Sequence, residues 1–371
     1  MTPALRNELT KLAAWMSLGL WFLGYRRAAL GMGAAALVGR AWPLKMDSFS
    51  GRSVVITGGS RGLGLALAEE FVKEGAWVSI LARDEDELRR AKNQLAVFGG
   101  RPVSAWICDV TDGKQVRDTL EKICRQRGGI DVLVNNAGSI TAGPFTSMEE
   151  EDFEAQVKIH LGAAVHSLRA ILPIFSRQGQ GGRIVNICSL GGKFGVPHMA
   201  PYCASKFALS GFAQSVGPEL LQQGITMTTV YPGLMRTGSA IQAVFKGNHE
   251  KEFAWFAMGA NMPGLSITAR SAARQILCAT REGRSEVVLS PAAKLGVFAH
   301  ARFPELFQVL MSWVNRTMPR ETSTKRKTGA LSRRWLDQRF WSGPFTKEMD
   351  RSGSRYNEDP KEDAAFNMNL H

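Results

Sequence analysis

The chain has 371 residues, of which 44% are hydrophobic and 21% charged, an ordinary globular composition that excludes general disorder and allows one large domain or two. Its net charge of +13 lies mainly at the ends, because residues 1–45 hold six basic and one acidic residue and residues 316–357 hold eleven basic and four acidic. Anionic lipid is therefore the first candidate partner of these extensions, and nucleic acid is not expected, since no binding motif for it is recognisable.

The cysteines form no C-x-x-C pair and no cluster with histidines at metal-ligand spacing. We predict reduced thiols in a cytosolic setting and no metal site. The five positions are Cys108, Cys124, Cys188, Cys203 and Cys278.

The first extension, residues 1–45, is apolar as well as basic. Its run Leu12–Tyr25 would reach about 21 Å as a helix, which is short of the roughly 30 Å hydrocarbon core of a bilayer. Trp15, Trp21 and Trp42 are typical of residues that anchor a segment at a membrane interface. We expect a helix or helical hairpin lying in the membrane surface, and packing against the protein or a partner subunit is the alternative.

From Ser53 onward, short runs rich in Val, Ile and Leu alternate with longer stretches that carry apolar residues at three-and-four spacing. This alternation predicts an α/β fold with a doubly wound parallel sheet, which binds ligand at the carboxyl ends of its strands. The predicted strands are Ser53–Thr57, Trp77–Leu81, Val103–Ile107, Val132–Asn135, Arg183–Ile187, Thr226–Val230 and Glu286–Leu289.

The run Ser53–Ala68, SVVITGGSRGLGLALA, predicts a buried strand, a tight glycine turn and a helix. Gly58, Gly62 and Gly64 lack the Cβ atom that would keep a pyrophosphate off the backbone, and the first amides of the helix offer unpaired N–H donors. A glycine-rich turn alone predicts only a turn. Because a strand and a helix flank this one, we expect a bound dinucleotide.

The second and third strands end in residues suited to the adenosine half of that ligand. A carboxylate after the second strand usually holds a free ribose 2′-hydroxyl, whereas a 2′-phosphate needs arginine. Arg83 therefore favours NADP(H) over NAD(H); the alternative is a solvated Arg83 with Asp84 on the ribose. After the third strand, Asp109 and Val110 are expected at the adenine, with Asp109 accepting a hydrogen bond from its amino group.

Three residues after the fifth strand predict acid–base chemistry. Pro201 suits the first turn of a helix, so Tyr202 and Lys206, four residues apart, are expected on one face. A tyrosine with a pKa of about 10 is a poor catalyst near neutrality, but an adjacent ammonium favours the phenolate. We predict that Tyr202 exchanges a proton with a carbonyl or alcohol oxygen, that Lys206 supports it and binds the ribose, and that Ser189 hydrogen-bonds the same oxygen.

Two later segments are apolar. Residues 238–268 suit a lid over a greasy substrate, and plain core packing is the alternative. Residues 291–319 would extend that pocket, lie on a membrane or form a subunit contact. The large apolar side chains of the lid segment are Phe245, Phe253, Trp255, Phe256, Met258 and Met262.

These motifs together resemble the short-chain dehydrogenase/reductase family over about residues 50–292. The resemblance rests on the T-G-x-x-x-G-x-G turn at 57–64, the N-N-A-G run at 135–138, the serine with Y-x-x-x-K, and P-G-x-x-x-T at 232–237. It implies one Rossmann-fold catalytic domain, hydride transfer between NADP(H) and a carbonyl or secondary alcohol, and a homo-oligomer. It assigns cofactor contacts to Thr57, Gly58, Ser60, Arg61, Gly62, Leu63, Gly64, Arg83, Asp109, Val110, Asn136, Ala137, Gly138, Tyr202, Lys206, Pro232, Gly233 and Thr237.

One position departs from the family pattern. Most members carry an asparagine where this chain has His160, and that asparagine is thought to hold a water in the proton relay from lysine to solvent. His160 either relays protons through a bound water, as its titration near neutrality allows, or is a packed histidine that has lost the relay.

We therefore predict a membrane-prone extension at 1–45, a catalytic domain at 46–318 and a basic, largely disordered tail at 319–371. The apolar lid and ends favour a lipophilic carbonyl or alcohol substrate. We place the protein in the cytoplasm, peripherally on the cytoplasmic face of a membrane. The competing class is a non-catalytic NADP(H)-binding redox sensor or membrane scaffold, which His160 alone favours.

Overall fold

The computed structural model describes residues 3–32, 46–262, 264–333 and 351–358. Tertiary contacts divide the chain into two compact units, Met1–Met46 and Asp47–His371. The predicted interface anchor Trp42 and the tail residues 334–350 and 359–371 lie outside the described residues.

In the first unit, helix α1 (Pro3–Phe22) is followed by a turn and by helical residues 26–32. The Ser17 hydroxyl donates a hydrogen bond to the Ala29 carbonyl over 2.6 Å, and Ala29 is buried, so the two helical segments fold back on each other. Most of the large apolar side chains are left exposed. They are Leu12, Trp15, Met16, Leu18, Trp21, Phe22, Leu23, Tyr25 and Leu30.

The second unit is built on a seven-stranded parallel sheet of order β11–β7–β6–β4–β1–β2–β3, which confirms the predicted α/β fold. All five residues of β1 are buried, and β1 pairs with β2 on one side and with β4 on the other. The strand order therefore reverses beside β1, and a ligand crevice is expected at the carboxyl ends of β1 and β4. The sheet strands are β1 Ser53–Thr57, β2 Trp77–Ala82, β3 Ser104–Ile107, β4 Val132–Asn135, β6 Gly182–Ile187, β7 Ile225–Tyr231 and β11 Glu286–Val288.

Helices cover the sheet, and the polar residues that precede them set where they begin. Asp84 and Asp112 accept hydrogen bonds from the first backbone amides of α3 and α4, as N-cap residues do. Helix α2 packs against α10, and α4 packs against α6. The helices are α2 Gly62–Lys73, α3 Glu85–Ala96, α4 Gly113–Arg127, α5 Glu150–Val157, α6 Ala163–Gln178, α7 Ala200–Leu221, α8 Ser239–Gln242, α9 His249–Asn261, α10 Ala269–Glu282, α11 Pro291–Arg302 and α12 Pro304–Arg316.

Short strands outside the main sheet hold the lid segment. A second sheet has the order β12–β9–β5, in which β9 pairs with β5 in parallel and with β12 in antiparallel register. Phe245 and Phe253 are fully buried, so these two lid residues pack in a core, while Met258 and Met262 remain exposed. The short strands are β5 Thr141–Ala142, β8 Met235–Arg236, β9 Val244–Phe245, β10 Ile267–Thr268 and β12 Lys327–Thr328.

The structure describes two ordered pieces of the tail, and the expectation that the tail as a whole is largely disordered stays a prediction. Strand β12 lies in this tail, and residues 351–358 form a helical turn packed on the catalytic domain. Backbone hydrogen bonds, which composition does not reveal, hold both pieces. The amide of Gly329 donates to Ala243, for example, and that of Gly247 donates to Ser323.

Helices α11 and α12 expose their large apolar side chains, so these residues do not wall a buried pocket. Phe307 is the buried exception, and it packs on Phe194 with a ring separation of 4.9 Å. One further stretch of the described residues, Glu150–Gln178, is long and apolar enough to cross a membrane, but half of its most apolar window is buried in the body, as in a core helix. The exposed residues of α11, α12 and their junction are Leu295, Phe298, Phe303, Leu306, Val309, Leu310 and Trp313.

Candidate active site

The glycine turn between β1 and α2 is packed so tightly that side chains would not fit. A Cβ on Gly58 would lie 2.9 Å from the Cα of Ala137, and one on Gly64 would overlap the carbonyl of Gly58. Gly58 and Gly62 also have φ values of 62° and 56°, which glycine adopts most easily. The turn brings the backbone to the start of α2, where the first amides have no partner within the helix and favour an anion, so a phosphate group suits the cradle.

Asn136, just after the neighbouring strand β4, and Thr57, the last residue of β1, brace this turn. The Asn136 side-chain amide donates hydrogen bonds of 3.0 Å to the carbonyls of Thr57 and Gly58. The Thr57 hydroxyl oxygen accepts from the backbone amides of Asn136 and Ala137. The N-N-A-G run therefore stabilises the glycine turn through hydrogen bonds. Its contact with the cofactor stays a prediction.

At the adenosine end, the structure distinguishes Arg83 from its neighbour. Arg83 is exposed and makes no ion pair with any described residue. Asp84 accepts a 2.7 Å hydrogen bond from the Glu87 amide as the N-cap of α3. This bond argues against the alternative in which Asp84 binds the ribose hydroxyl. Arg61 pairs with Glu87 over 2.7 Å, so its guanidinium is engaged in the structure. Sequence reasoning missed Glu87, since no motif marks it.

Asp109 and Val110 lie beyond β3, with Val110 buried. One carboxylate oxygen of Asp109 accepts hydrogen bonds of 2.9 Å from both the amide and the hydroxyl of Thr111. These bonds orient the carboxylate at the carboxyl end of the sheet, where the adenine is expected.

The three predicted catalytic residues come together at the carboxyl end of β6. Ser189 lies just after the strand and its side chain hydrogen-bonds Tyr202, which lies in the first turn of α7. The Lys206 ammonium, one turn further on, donates to the Ile187 carbonyl over 3.0 Å and lies 5.7 Å from the Tyr202 ring centroid. A hydroxyl pair and a buried cation thus face the same space.

Burial dominates the electrostatics of this group. It raises the pKa of the Tyr202 phenol, which the Ser189 hydrogen bond only partly opposes. It also lowers the pKa of Lys206 to about 8. The sequence predicts a phenolate supported by lysine, but the protein groups alone keep Tyr202 protonated at neutral pH, because desolvation penalises the phenolate. Tyr202 is thus a ready proton donor.

His160 is a packed residue in a π-helical turn, Lys158–Gly162, between α5 and α6. Its Nδ1 lies 2.8 Å from the Ser205 hydroxyl, and its ring also hydrogen-bonds the backbone of Ser139 and meets Tyr202 edge-on at 5.5 Å. Burial, together with the charge of Lys206, holds the pKa of His160 well below its usual range. Of the two alternatives, the structure favours the packed, neutral histidine over the water-binding relay. The sequence did not predict the contact of Ser205 with His160, because a single serine within a helix carries no motif that would mark it.

The nicotinamide end of the cofactor is expected at the segment after β7. The Pro232 carbonyl accepts a 3.0 Å hydrogen bond from the Leu190 amide, which ties this segment to the residue after Ser189. Thr237 is buried, and its hydroxyl oxygen accepts from the Ser239 amide. A Cβ on Gly233 would reach ordinary contact with Leu190, so the two loops lie side by side.

Comparisons with known proteins agree with this geometry. The family model for short chain dehydrogenase matches residues 52–246. Oxidoreductase BOA17 of Botryotinia fuckeliana is 38% identical over 190 residues, 50% of this chain and 68% of that protein. The 3-dehydrosphinganine reductase of Danio rerio is 33% identical over 51% of this chain and 57% of its own length. A metagenomic short-chain oxidoreductase, solved in complex with NADP, superposes with a TM-score of 0.53 at 29% identity, covering 66% of this chain and 99% of that one.

Proposed function

We propose, since this chain belongs to the short-chain dehydrogenase/reductase family, that it transfers hydride between NADP(H) and the carbonyl or secondary alcohol carbon of a lipophilic substrate. Membership makes the chain an oxidoreductase that acts on CH–OH or C=O groups. The observation that carries the proposal is the meeting of Ser189, Tyr202 and Lys206 at the end of β6, at the same edge of the sheet as a glycine turn suited to a phosphate.

The residues divide the chemistry of carbonyl reduction between them. When bound, the nicotinamide supplies the hydride. Tyr202 donates its phenolic proton to the carbonyl oxygen, and Ser189 donates a hydrogen bond to the same oxygen as negative charge develops. Lys206, held by the Ile187 carbonyl, lowers the energy of the phenolate that is left. In the reverse direction, the same groups take the proton from an alcohol.

NADP(H) is proposed over NAD(H) because Arg83 is exposed beside the expected ribose and Asp84 is occupied as a helix cap. We expect Arg83→Ala to weaken NADPH binding about tenfold and to leave NADH binding unchanged, since one charge-assisted phosphate contact is lost. Arg89→Ala is the control, because Arg89 is an exposed arginine of α3, the helix that follows Arg83, and is paired with Asp86. Equal losses for both cofactors would refute the role of Arg83.

A lipophilic substrate is supported by apolar side chains beside the catalytic loop. A Cβ added to Gly233 would lie 3.4 Å from Leu190, and one added to Gly259 on α9 would lie 3.6 Å from Leu234, which is partly exposed. Exposed Met258 and Met262 continue this surface on and after the same helix. A path of apolar groups thus leads from the catalytic serine outwards. The Danio rerio relative is named for reducing a long-chain ketone, 3-dehydrosphinganine, and we propose a ketone of comparable character.

The exposed apolar faces of α1 and of the α11–α12 hairpin are proposed to lie on an anionic membrane at its cytoplasmic side. Phe194 and Phe307 fix the hairpin next to the catalytic loop, while its outer face is apolar. The basic excess in residues 1–45 and 316–357 supplies the matching charge. A membrane at this face would deliver a lipophilic ketone to the site. The homo-oligomer stays a prediction, which light scattering in detergent would test.

The central test follows NADPH absorbance with a panel of long-chain ketones. We expect oxidation of NADPH with at least one ketone class, and Tyr202→Phe is expected to lose this turnover while it keeps NADPH binding. Ser189→Ala is the companion variant, expected to lower the rate about 100-fold or more, as the loss of one oxyanion donor does. A redox sensor would bind NADPH without turnover, and Tyr202→Phe would then change nothing.

Vesicle flotation tests the membrane part separately. The full chain is expected to float with phosphatidylglycerol vesicles and less with phosphatidylcholine, and Leu306→Asp with Trp313→Asp is expected to weaken flotation. Val97→Asp is the control, since Val97 is an exposed apolar residue at the end of α3. Flotation that neither the lipid charge nor the paired substitution alters would refute the hairpin as the binding face.

A further inference from the structure

Residues 351–358, which we name the strap, lie across the glycine turn. The Gly62 amide at the start of α2 donates a 2.9 Å hydrogen bond to the Tyr356 carbonyl. The Asn357 side-chain amide donates to the Ser60 carbonyl over 3.0 Å and to the Glu87 carbonyl over 3.2 Å. Ser60 and Gly62 belong to the predicted phosphate cradle, so the strap takes up hydrogen-bonding groups of that cradle.

Glu358 is the residue that reaches furthest into the cleft. One of its carboxylate oxygens lies directly over Gly62, where a Cβ would overlap it, and its Cβ lies 2.9 Å from the position of a Cβ on Gly238. Gly238 follows Thr237, which is expected at the nicotinamide half of the cofactor. Glu358 is 4% exposed. A buried carboxylate thus sits at the start of a helix, between the two halves of the cleft, where anionic groups are favoured.

Side-chain contacts on both sides hold the strap in this register. Arg90 of α3 donates to the Asn357 side-chain oxygen over 2.8 Å, and Gln94 donates to the Arg355 carbonyl over 2.8 Å. On the lid side, the Gln242 amide donates to the Glu358 carbonyl over 2.9 Å. Asn357 has a φ of 57°, a left-handed conformation that asparagine tolerates and that turns the chain into the cleft. The strap therefore links α3, the glycine turn and the lid.

We infer that the strap is an autoinhibitory element of the chain, in which the Glu358 carboxylate occupies the diphosphate subsite of the cofactor cleft. Cofactor and strap then exclude each other. Each molecule must therefore release the strap from the cleft before it binds NADP(H). The inference rests on the proposed function, because it needs the cleft to bind a dinucleotide. Its occupant is a segment of this chain, identified by the contacts above.

Because the contacts of the strap are with the surface of the cleft, we expect the strap to detach without unfolding of the main sheet. The strap touches the main body through hydrogen bonds, through an ion pair of Arg355 with Glu69 over 4.0 Å, and through the close approach of Glu358 to Gly62 and Gly238. The strands of the main sheet pair with one another and not with the strap. Loss of the strap therefore leaves the sheet and the catalytic residues in place. The apparent affinity for cofactor is the intrinsic affinity multiplied by the fraction of chains whose cleft is open, so weakening the strap tightens binding.

Amide hydrogen exchange on the full chain, with and without NADPH, tests the competition directly. We expect NADPH to slow exchange in peptides covering residues 57–64 and to speed it in peptides covering 351–358, because the strap leaves. Exchange that slows in both peptides would overturn the inference, since it would mean that the strap closes over the cofactor. No slowing at 57–64 would instead refute NADPH binding, and with it the proposed function.

Binding constants supply a second readout. The full-length double variant Asn357→Ala with Glu358→Ala is expected to bind NADPH about three to ten times more tightly than the parent, the size of an anion contact at a helix start. Arg351→Ala is the matched control, because Arg351 is an exposed residue of the same strap. An unchanged or weaker affinity of the double variant for NADPH would overturn the inference. The proposed function would still stand in that case, provided that the parent binds NADPH.

Discussion

His160 offers a test that links acid stability to the active site. The buried imidazole stays neutral in the folded chain, because desolvation and the charge of Lys206 hold its pKa well below the ordinary value of about 6.5. In the unfolded chain the same imidazole takes up a proton below about pH 6.5. The unfolded state then binds more protons than the folded state, so the free energy of unfolding falls as the pH falls through this range.

The magnitude follows from that difference. Between pH 7.5 and pH 5.5, one histidine that takes up a proton in the unfolded state and stays neutral in the folded state costs about 1 kcal/mol of stability. His160→Asn removes the titrating group and keeps a polar side chain. We expect the variant to lose about 1 kcal/mol less than the parent over this pH range, whatever its stability at pH 7.5.

The assay is urea unfolding of the full chain followed by tryptophan fluorescence at the two pH values. Ser205→Ala is the matched control, because it removes the hydroxyl that lies 2.8 Å from His160 Nδ1 and leaves the imidazole in place. That control is expected to be less stable at both pH values and to keep the parent's pH dependence. Equal losses for the parent and His160→Asn would show that the imidazole is protonated in the folded state, and would refute its assignment as a neutral packed residue.

Three further predictions concern the brace, a buried ion pair and the pH profile. Asn136→Ala removes two hydrogen bonds to the glycine turn and is expected to lower the free energy of unfolding by about 1–3 kcal/mol and to weaken NADPH binding, both measured on the same preparation. Asp152→Asn removes one of the two carboxylate partners of fully buried Lys246, and Glu149 remains as the other. Urea unfolding should therefore show a loss of about 1–3 kcal/mol, against little change for exposed Asp118→Asn. Because the pKa of Lys206 is about 8, kcat/KM for reduction is expected to fall as the pH rises through 8, and a flat profile to pH 9.5 would contradict that assignment.

The parts of the molecule that local sequence encodes were predictable. Each of the seven sheet strands is a short apolar run, and burial of β1 on both faces follows from its Val and Ile content. Tyr202 and Lys206 face one side of α7 because four residues make about one helical turn. The position of Ser189 beside Tyr202 and Lys206 could be predicted from its place just after the fifth predicted strand, since the carboxyl ends of parallel strands lie at one edge of the sheet.

The parts that depend on contacts between distant residues were not predictable. Strand β12 has two residues, and its pairing with β9 across about eighty positions leaves no periodic pattern. The upward pKa direction of Tyr202 depends on desolvation, which spacing does not report. The strap consists of polar residues whose composition suggests a disordered segment, yet its backbone and carboxylate find partners on the glycine turn.

Strand β9 ends one residue before the last position matched by the family model, and it takes its outer partner, β12, from beyond the matched region. A chain shortened at residue 318 would therefore leave β9 with an open edge of unpaired amides and carbonyls. Such edges recruit strands from other molecules. Preparations of the isolated family domain are accordingly expected to self-associate, whereas in the longer chain β12 of the tail pairs with this edge of β9.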